Sequence, residues 1–103
     1  MTGITTHVLD TSSGQPAAGI EAQLLRDGTL LALGVTDADG RWTAKSSPAE
    51  PGTYQLVFAT GAYFRGAAFH PQVSVDFTVR DASEHHHVPL LLSPFGYTTY
   101  RGS

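Results

Sequence analysis

The sequence predicts an all-β fold, an antiparallel two-sheet sandwich of about eight short strands with one short helix. Apolar residues recur with a period of two, most clearly where Val73, Val75, Phe77 and Val79 alternate with polar residues. Turn signals separate such runs at regular intervals, at 13–14, 27–28, 39–40, 51–52 and 71. Evenly spaced short strands with turns between them are typical of sandwiches and barrels.

The eight strands are predicted at 3–9, 20–26, 29–36, 41–45, 53–59, 73–80, 86–92 and 97–102. Further alternating sets that favour half-buried strands are Ile20, Ala22 and Leu24; Leu31, Leu33 and Val35; and Tyr54, Leu56 and Phe58. Asp27-Gly28 between two apolar runs is a strong two-residue hairpin signal. Residues 60–68 lack alternation and are predicted to form one or two helical turns, because their two glycines disfavour a longer helix.

Length and composition predict a single domain spanning 1–103. The chain is 15% charged with a net charge of −3, which gives no electrostatic attraction to nucleic acid or to an anionic membrane. Zero cysteines exclude disulfides and suit a reducing cytoplasm. We see no signal-peptide pattern and no apolar run near the ~18 residues of a membrane-spanning helix.

Polar chemistry collects in four places. His7 lies in the first strand, on the face of Thr5 and Leu9. Arg41 follows the acidic segment 37–40. This segment is predicted to be a tight turn and not a calcium site, because it lacks the remaining ligands of an EF-hand loop. In the run 85–87, alternation directs His86 inward and leaves His85 and His87 on the outer face.

The fourth place is the terminal segment Tyr100 to Ser103, which is chemically rich for a chain end. An aromatic ring, a guanidinium and a hydroxyl behind an apolar strand predict a tail that is held in place and used. The alternative is a surface tail after the last strand.

Three segments of this chain resemble the signature segments of one family. THVLDTSSGQPA contains His7, TDADGR contains Arg41, and HHHVPLLLSPFGYTTYRGS ends the chain. They resemble the 5-hydroxyisourate hydrolases, the transthyretin-related enzymes of urate breakdown. YRGS distinguishes these enzymes from transthyretin, the hormone carrier of the same fold. The family often has an aromatic residue where this chain has His86.

The resemblance implies that His7, Arg41, His87 and Ser103 are catalytic, and that His7, Arg41 and Tyr100 bind substrate. It implies hydrolysis of 5-hydroxyisourate to 2-oxo-4-hydroxy-4-carboxy-5-ureidoimidazoline with no cofactor and no metal. It also implies a homotetramer with sites at the dimer–dimer interface.

The reaction needs a base for water, a positive group near the developing oxyanion, and a proton for the leaving ring nitrogen. One of His7 and His87 would activate water while the other holds or protonates the substrate, and the sequence leaves open which is which. Arg41 would neutralise negative charge, and Tyr100 and Ser103 would position water or substrate.

Three other classes of protein are compatible with parts of this sequence. A transthyretin-like carrier of a small ligand would use the same sandwich. A metal-binding sandwich would use His7, His85 and His87 as zinc ligands, with an open fourth position. A structural or adhesion sandwich would use none of these side chains.

Overall fold

The computed structural model describes residues 3–44 and 50–103, and these residues form two packed β-sheets. The described residues contain nine strands and one helix: β1 (Gly3–Asp10), β2 (Gln15–Pro16), β3 (Glu21–Arg26), β4 (Thr29–Val35), β5 (Arg41–Thr43), β6 (Gly52–Phe58), α1 (Thr60–Tyr63), β7 (Val73–Val79), β8 (His85–Ser93) and β9 (Gly96–Thr99). The predicted all-β sandwich with one short helix is therefore confirmed. Each predicted strand has a counterpart, and the two-residue β2 is additional.

The first sheet has the order β2-β1-β8-β9, and β5 also pairs with β1. One edge of β1 is shared, since β5 pairs with residues 5–7 and β2 pairs with residues 9–10. Its other edge pairs with β8 in parallel, which departs from the antiparallel expectation. Parallel partners need a long crossover, and the chain provides one by building the second sheet between β1 and β8.

The second sheet has the order β4-β3-β6-β7, with antiparallel pairing throughout. The predicted alternation is confirmed on three of its strands, where every second side chain points between the sheets. The core includes Ala22, Leu24, Tyr54, Leu56, Phe58, Val73, Val75 and Val79 from this sheet and Ile4, Val8, Val88, Leu90 and Leu92 from the first.

The apolar set on β4 faces the other way. The Asp27-Gly28 turn is confirmed, with φ of 50° and 78° as a two-residue hairpin requires. However, Leu33 and Val35 are 58% and 56% exposed on the outer face. The inner face of this edge strand carries Gly34, where an added Cβ would lie 2.1 Å from the Trp42 indole nitrogen. Because the indole fills that space, the larger apolar residues point outward.

Three predicted elements end earlier than expected. Helix α1 covers only the start of 60–68, since Arg65 and Gly66 take positive φ and end the helical path. The described part of the chain contains no helix long and apolar enough to cross a membrane. Strand β9 ends at Thr99 instead of 102. The strand predicted at 41–45 ends at Thr43, and residue 45 lies outside the described residues.

Asp10 ties helix α1 to the turn after β1. Its Oδ1 accepts a hydrogen bond from the Ser12 N–H at 2.9 Å, and its Oδ2 accepts one from the Tyr63 hydroxyl at 2.9 Å. Burial by itself raises the pKa of Asp10, but the hydrogen bonds from Ser12 and Tyr63 outweigh burial and lower the pKa below 3.8. The resulting stabilisation is present above about pH 4 and is lost as pH falls through the folded-state pKa.

We predict that Tyr63→Phe lowers the free energy of unfolding by about 1 kcal/mol at pH 7, because one hydrogen bond to the buried Asp10 carboxylate is lost. Urea unfolding followed by far-ultraviolet circular dichroism measures the change, which should shrink as pH falls below the Asp10 pKa. Tyr97→Phe is the matched control, since Tyr97 is exposed. Equal unfolding midpoints for the Tyr63 variant and the wild type would contradict this account.

Candidate active site

The outer face of the first sheet gathers the candidate residues from three strands. Thr5 and His7 share this face of β1, because Ile4, Thr6 and Val8 point into the core. Antiparallel pairing sets Arg41 of β5 opposite His7, and parallel pairing sets His87 of β8 opposite Thr5. Residues separated by more than 30 positions in sequence therefore become neighbours through register alone.

A cavity of about 240 Å³ opens on this face. It brings together three of the predicted site residues, Arg41, His87 and Ser103. The rest of its described lining is Thr5, Thr6, Trp42, Thr43 and His85. His7 lies beside it, opposite Arg41 in register and close enough for its charge to act on His87.

Tyr100 lies outside the cavity that Arg41, His87 and Ser103 line. It lines a second cavity of about 270 Å³, together with His86 and residues of β7 and β9. Within one chain the structure therefore does not bring Tyr100 into the cavity of Arg41, His87 and Ser103. Its side chain is 55% exposed, so its predicted contact with substrate stays a prediction.

The turn before Arg41 is held by Asp37. The Oδ1 atom of Asp37 accepts hydrogen bonds from the Asp39 and Arg41 N–H groups, both at 2.9 Å. This carboxylate is thus engaged in the local turn, as Asp residues in tight turns commonly are. The turn fixes where β5 begins and so where the guanidinium is presented.

The three consecutive histidines alternate as predicted. His86 is 4% exposed and its Nδ1 lies 3.0 Å from the Glu84 carbonyl, which can only accept a hydrogen bond. His85 is exposed and His87 is half-buried on the opposite face. Their ring nitrogens share one partner: Thr5 Oγ1 lies 2.7 Å from His85 Nε2 and 2.8 Å from His87 Nδ1.

Thr5 was not among the predicted site residues. The sequence places it on the face of His7, but only the parallel register with β8 brings it to His87. That register joins segments 82 residues apart, and no local pattern specifies it.

The chain end packs directly on His87. The Gly102 N–H donates a hydrogen bond of 2.8 Å to the His87 carbonyl, and this bridge leads Ser103 to the cavity. A Cβ on Gly102 would lie 2.6 Å from His87 Cδ2 and 3.0 Å from Pro89 Cγ. Only glycine allows this close approach, which supports the prediction of a tail held in place.

Electrostatics keep the His87 imidazole neutral. Burial lowers its pKa from the ordinary value of 6.5, and the nearby basic side chains His85, Arg41 and His7 lower the pKa further. A neutral imidazole can accept a proton from water, so His87 is equipped to act as a general base. Its Nδ1 is engaged by Thr5, which leaves Nε2 as the nitrogen available to accept a proton.

The geometry does not support the alternative in which the same side chains bind a metal ion. Among residues 3–44 and 50–103, no three His, Cys, Asp or Glu side chains are grouped closely enough to hold a metal ion. His7, His85 and His87, the proposed zinc ligands, are therefore not arranged as a ligand set in the described structure.

Comparisons with known proteins agree with this architecture. A 5-hydroxyisourate hydrolase of Deinococcus radiodurans is 46% identical over 114 residues, covering 98% of this chain and 96% of the relative. The Klebsiella pneumoniae 5-hydroxyisourate hydrolase structure superposes with a TM-score of 0.89 at 40% identity, covering 99% of this chain and 100% of the other. Sea bream transthyretin, solved in complex with thyroxine, superposes with a TM-score of 0.85 at 32% identity, covering 97% and 94%. The sequence profile described as the HIUase/Transthyretin family matches residues 4–102. The chain therefore belongs to the HIUase/transthyretin family.

Proposed function

We propose that this chain, as a single domain, hydrolyses 5-hydroxyisourate to 2-oxo-4-hydroxy-4-carboxy-5-ureidoimidazoline in urate degradation. The observation that carries the proposal is the cavity whose lining includes the half-buried His87 together with Arg41 and Ser103. Relatives that bear the name 5-hydroxyisourate hydrolase over nearly their whole length support the same activity. A carrier of an apolar ligand would gain little from so cationic a cavity.

The side chains fit the hydrolysis of a cyclic amide without a cofactor. His87 takes a proton from water as the water attacks the ring carbonyl. Arg41 stabilises the anionic ring and the developing oxyanion through its planar fork of donors. His7, opposite Arg41, holds the substrate, and Ser103 positions it or the attacking water. His87 then returns the proton to the leaving ring nitrogen.

We also propose a cytoplasmic homotetramer with the sites at the dimer–dimer interface. The cavity opens on an outer sheet face, where a second subunit could complete its walls. Tyr100, exposed on the neighbouring edge, would then contact substrate from across the interface. A chain with zero cysteines suits a reducing compartment.

The direct test is the ultraviolet loss of freshly generated 5-hydroxyisourate with and without the purified protein. We expect a large acceleration over the spontaneous decay, unchanged by dialysis against EDTA. Sedimentation of the same sample reports the oligomeric state. A decay rate equal to that of buffer alone would overturn the proposed function, and restoration by zinc after EDTA would favour the metal-binding alternative.

We predict that His87→Asn lowers kcat by about 10² to 10⁴, because Asn cannot accept and return a proton near neutral pH. The fold should survive, since His87 is half-buried on the outer face and outside the core. Steady-state hydrolysis and thermal unfolding of the same preparation measure both effects. A variant that keeps more than about a tenth of wild-type kcat would remove His87 from proton transfer.

The activity should fall on the acid side with a midpoint below pH 6.5. His87 must be neutral to act as a base, and burial with the positive charges of His85, Arg41 and His7 lowers its pKa below 6.5. At pH values above the pKa, the His87 imidazole is neutral and can accept a proton. At pH values below the pKa, the imidazole is protonated and cannot act as a base. A profile of kcat/KM from pH 4.5 to 8.5 measures the midpoint, and a value above 6.5 would contradict the assignment.

Gly102→Ala should disable the site without unfolding the protein. The new Cβ would lie 2.6 Å from His87 Cδ2, so the tail and the His87 ring would have to move apart. A displacement of ~1 Å costs up to ~10²-fold in rate, so we expect a loss of at least about tenfold in kcat/KM. Gly96→Ala is the matched control, because its Cβ would have no contact closer than 4.0 Å. Equal kinetics in the two variants would contradict the proposed role of the tail.

A further inference from the structure

One hydroxyl joins two imidazoles at the edge of the cavity. Thr5 Oγ1 lies 2.7 Å from His85 Nε2 and 2.8 Å from His87 Nδ1, both ordinary hydrogen-bond distances. The two histidines occupy one face of β8, with ring centroids 6.2 Å apart, and Thr5 lies opposite His87 on β1. The three side chains thus form a continuous hydrogen-bonded series from the half-buried His87 to the exposed His85, and all three line the cavity.

The proposed role of His87 as a base fixes the donor and the acceptor in each of these two hydrogen bonds. A base needs Nε2 unprotonated, so the neutral ring must carry its hydrogen on Nδ1 and donate it to Thr5 Oγ1. Thr5 has one hydroxyl hydrogen, which then points at His85 Nε2. His85 must accept there and carry its own hydrogen on Nδ1. The working state therefore specifies a single tautomer for each ring.

We propose that Thr5 and His85 are positioning residues that form a proton relay behind His87, an inference that rests on the function proposed above. When His87 Nε2 takes a proton from water, its Nδ1–H bond breaks and an O–H bond forms at Thr5. The original Thr5 O–H bond breaks, and an N–H bond forms at His85 Nε2. His87 is then neutral, and the positive charge lies on His85.

The same path in reverse closes the cycle. His87 gives its Nε2 proton to the leaving ring nitrogen, while His85 returns a proton through Thr5 to His87 Nδ1. Every group regains its starting state, and no oxidant, metal or additional acid is consumed. In these steps Thr5 exchanges protons only with the two histidines, and His85 only with Thr5, so both act through His87.

Charge explains why moving the proton outward helps. His87 has three basic side chains around it, His85, Arg41 and His7, and the cavity lining adds no Asp or Glu side chain. An imidazolium held there is disfavoured by burial and by repulsion. His85 is exposed, so water stabilises the charge at that end of the relay.

The first test compares Thr5→Val with Thr5→Ser. Valine keeps the β-branched shape but lacks the hydroxyl, and we expect kcat to fall by about tenfold or more with KM little changed. Serine restores the hydroxyl and should return kcat to within about threefold of the wild type. Thr53→Val makes the same change at an exposed strand position of the second sheet and is the matched control. Wild-type kcat in Thr5→Val would overturn the relay.

The second test separates the relay from simple orientation. In His85→Asn the amide oxygen can still accept from Thr5, so His87 keeps its tautomer, but the proton has nowhere to go. We expect kcat to fall by about three- to tenfold, less than in His87→Asn. Unchanged kcat would leave Thr5 an orienting group and overturn the relay, and this variant decides the matter even where Thr5→Val fails to fold.

Long-range ¹H–¹⁵N correlations of the histidine rings give a readout independent of activity. In the wild type at pH 8 we expect His87 protonated on Nδ1 and His85 also on Nδ1, and in Thr5→Val a mixture of tautomers at His87. A wild-type His87 protonated on Nε2 would overturn the proposal. If the wild type fails to hydrolyse 5-hydroxyisourate, the proposed function falls while these spectra still decide whether Thr5 bridges the two rings as described.

Discussion

The parallel pairing of β1 with β8 is the constraint on which the site depends. Its register sets Thr5 beside His87, and β1 carries β5 with Arg41 on its other edge. A slip of one residue would set Thr5 opposite the buried His86 and turn His87 toward the core. The apolar residues Val88, Leu90 and Leu92 prevent that slip, because it would expose them. The core thus fixes the geometry of the outer face.

In the proposed mechanism, the basic side chains of the cavity serve both substrate binding and proton transfer. The described lining contains Arg41 and two histidines and no Asp or Glu side chain. Positive charge would attract an anionic ring, while burial, followed by the effects of His85, Arg41 and His7, lowers the pKa of His87 and favours its neutral imidazole. A carboxylate beside His87 would orient the ring, but it would also favour the imidazolium. A neutral hydroxyl, Thr5, orients the ring without that effect on its charge.

Local patterns predicted most of the fold and part of the site. Period-two alternation located the core strands, and in the run 85–87 it correctly separated His86 from its neighbours. The outward turn of Leu33 was missed, because it depends on Trp42 filling the space over Gly34. Register between distant strands decides the rest and has no local signal. The register between β1 and β8 brings Thr5 to His87. The β-bridge between His87 and Gly102 places Ser103 in the same cavity as His87, whereas Tyr100 lines the second cavity.

The separation of β1 and β8 along the chain has a kinetic consequence. Bringing Thr5 to His87 closes a loop of 82 residues, and the length-dependent part of its entropic cost is about 4 kcal/mol. The hairpins of the second sheet close far shorter loops, so they can form earlier in folding. The seam between β1 and β8 is then a late contact, formed once the second sheet offers a surface to pack on. Fluctuations that open this seam would separate Thr5 from His87 and divide the core residues of the first sheet, so catalytic competence would depend on this contact between distant strands.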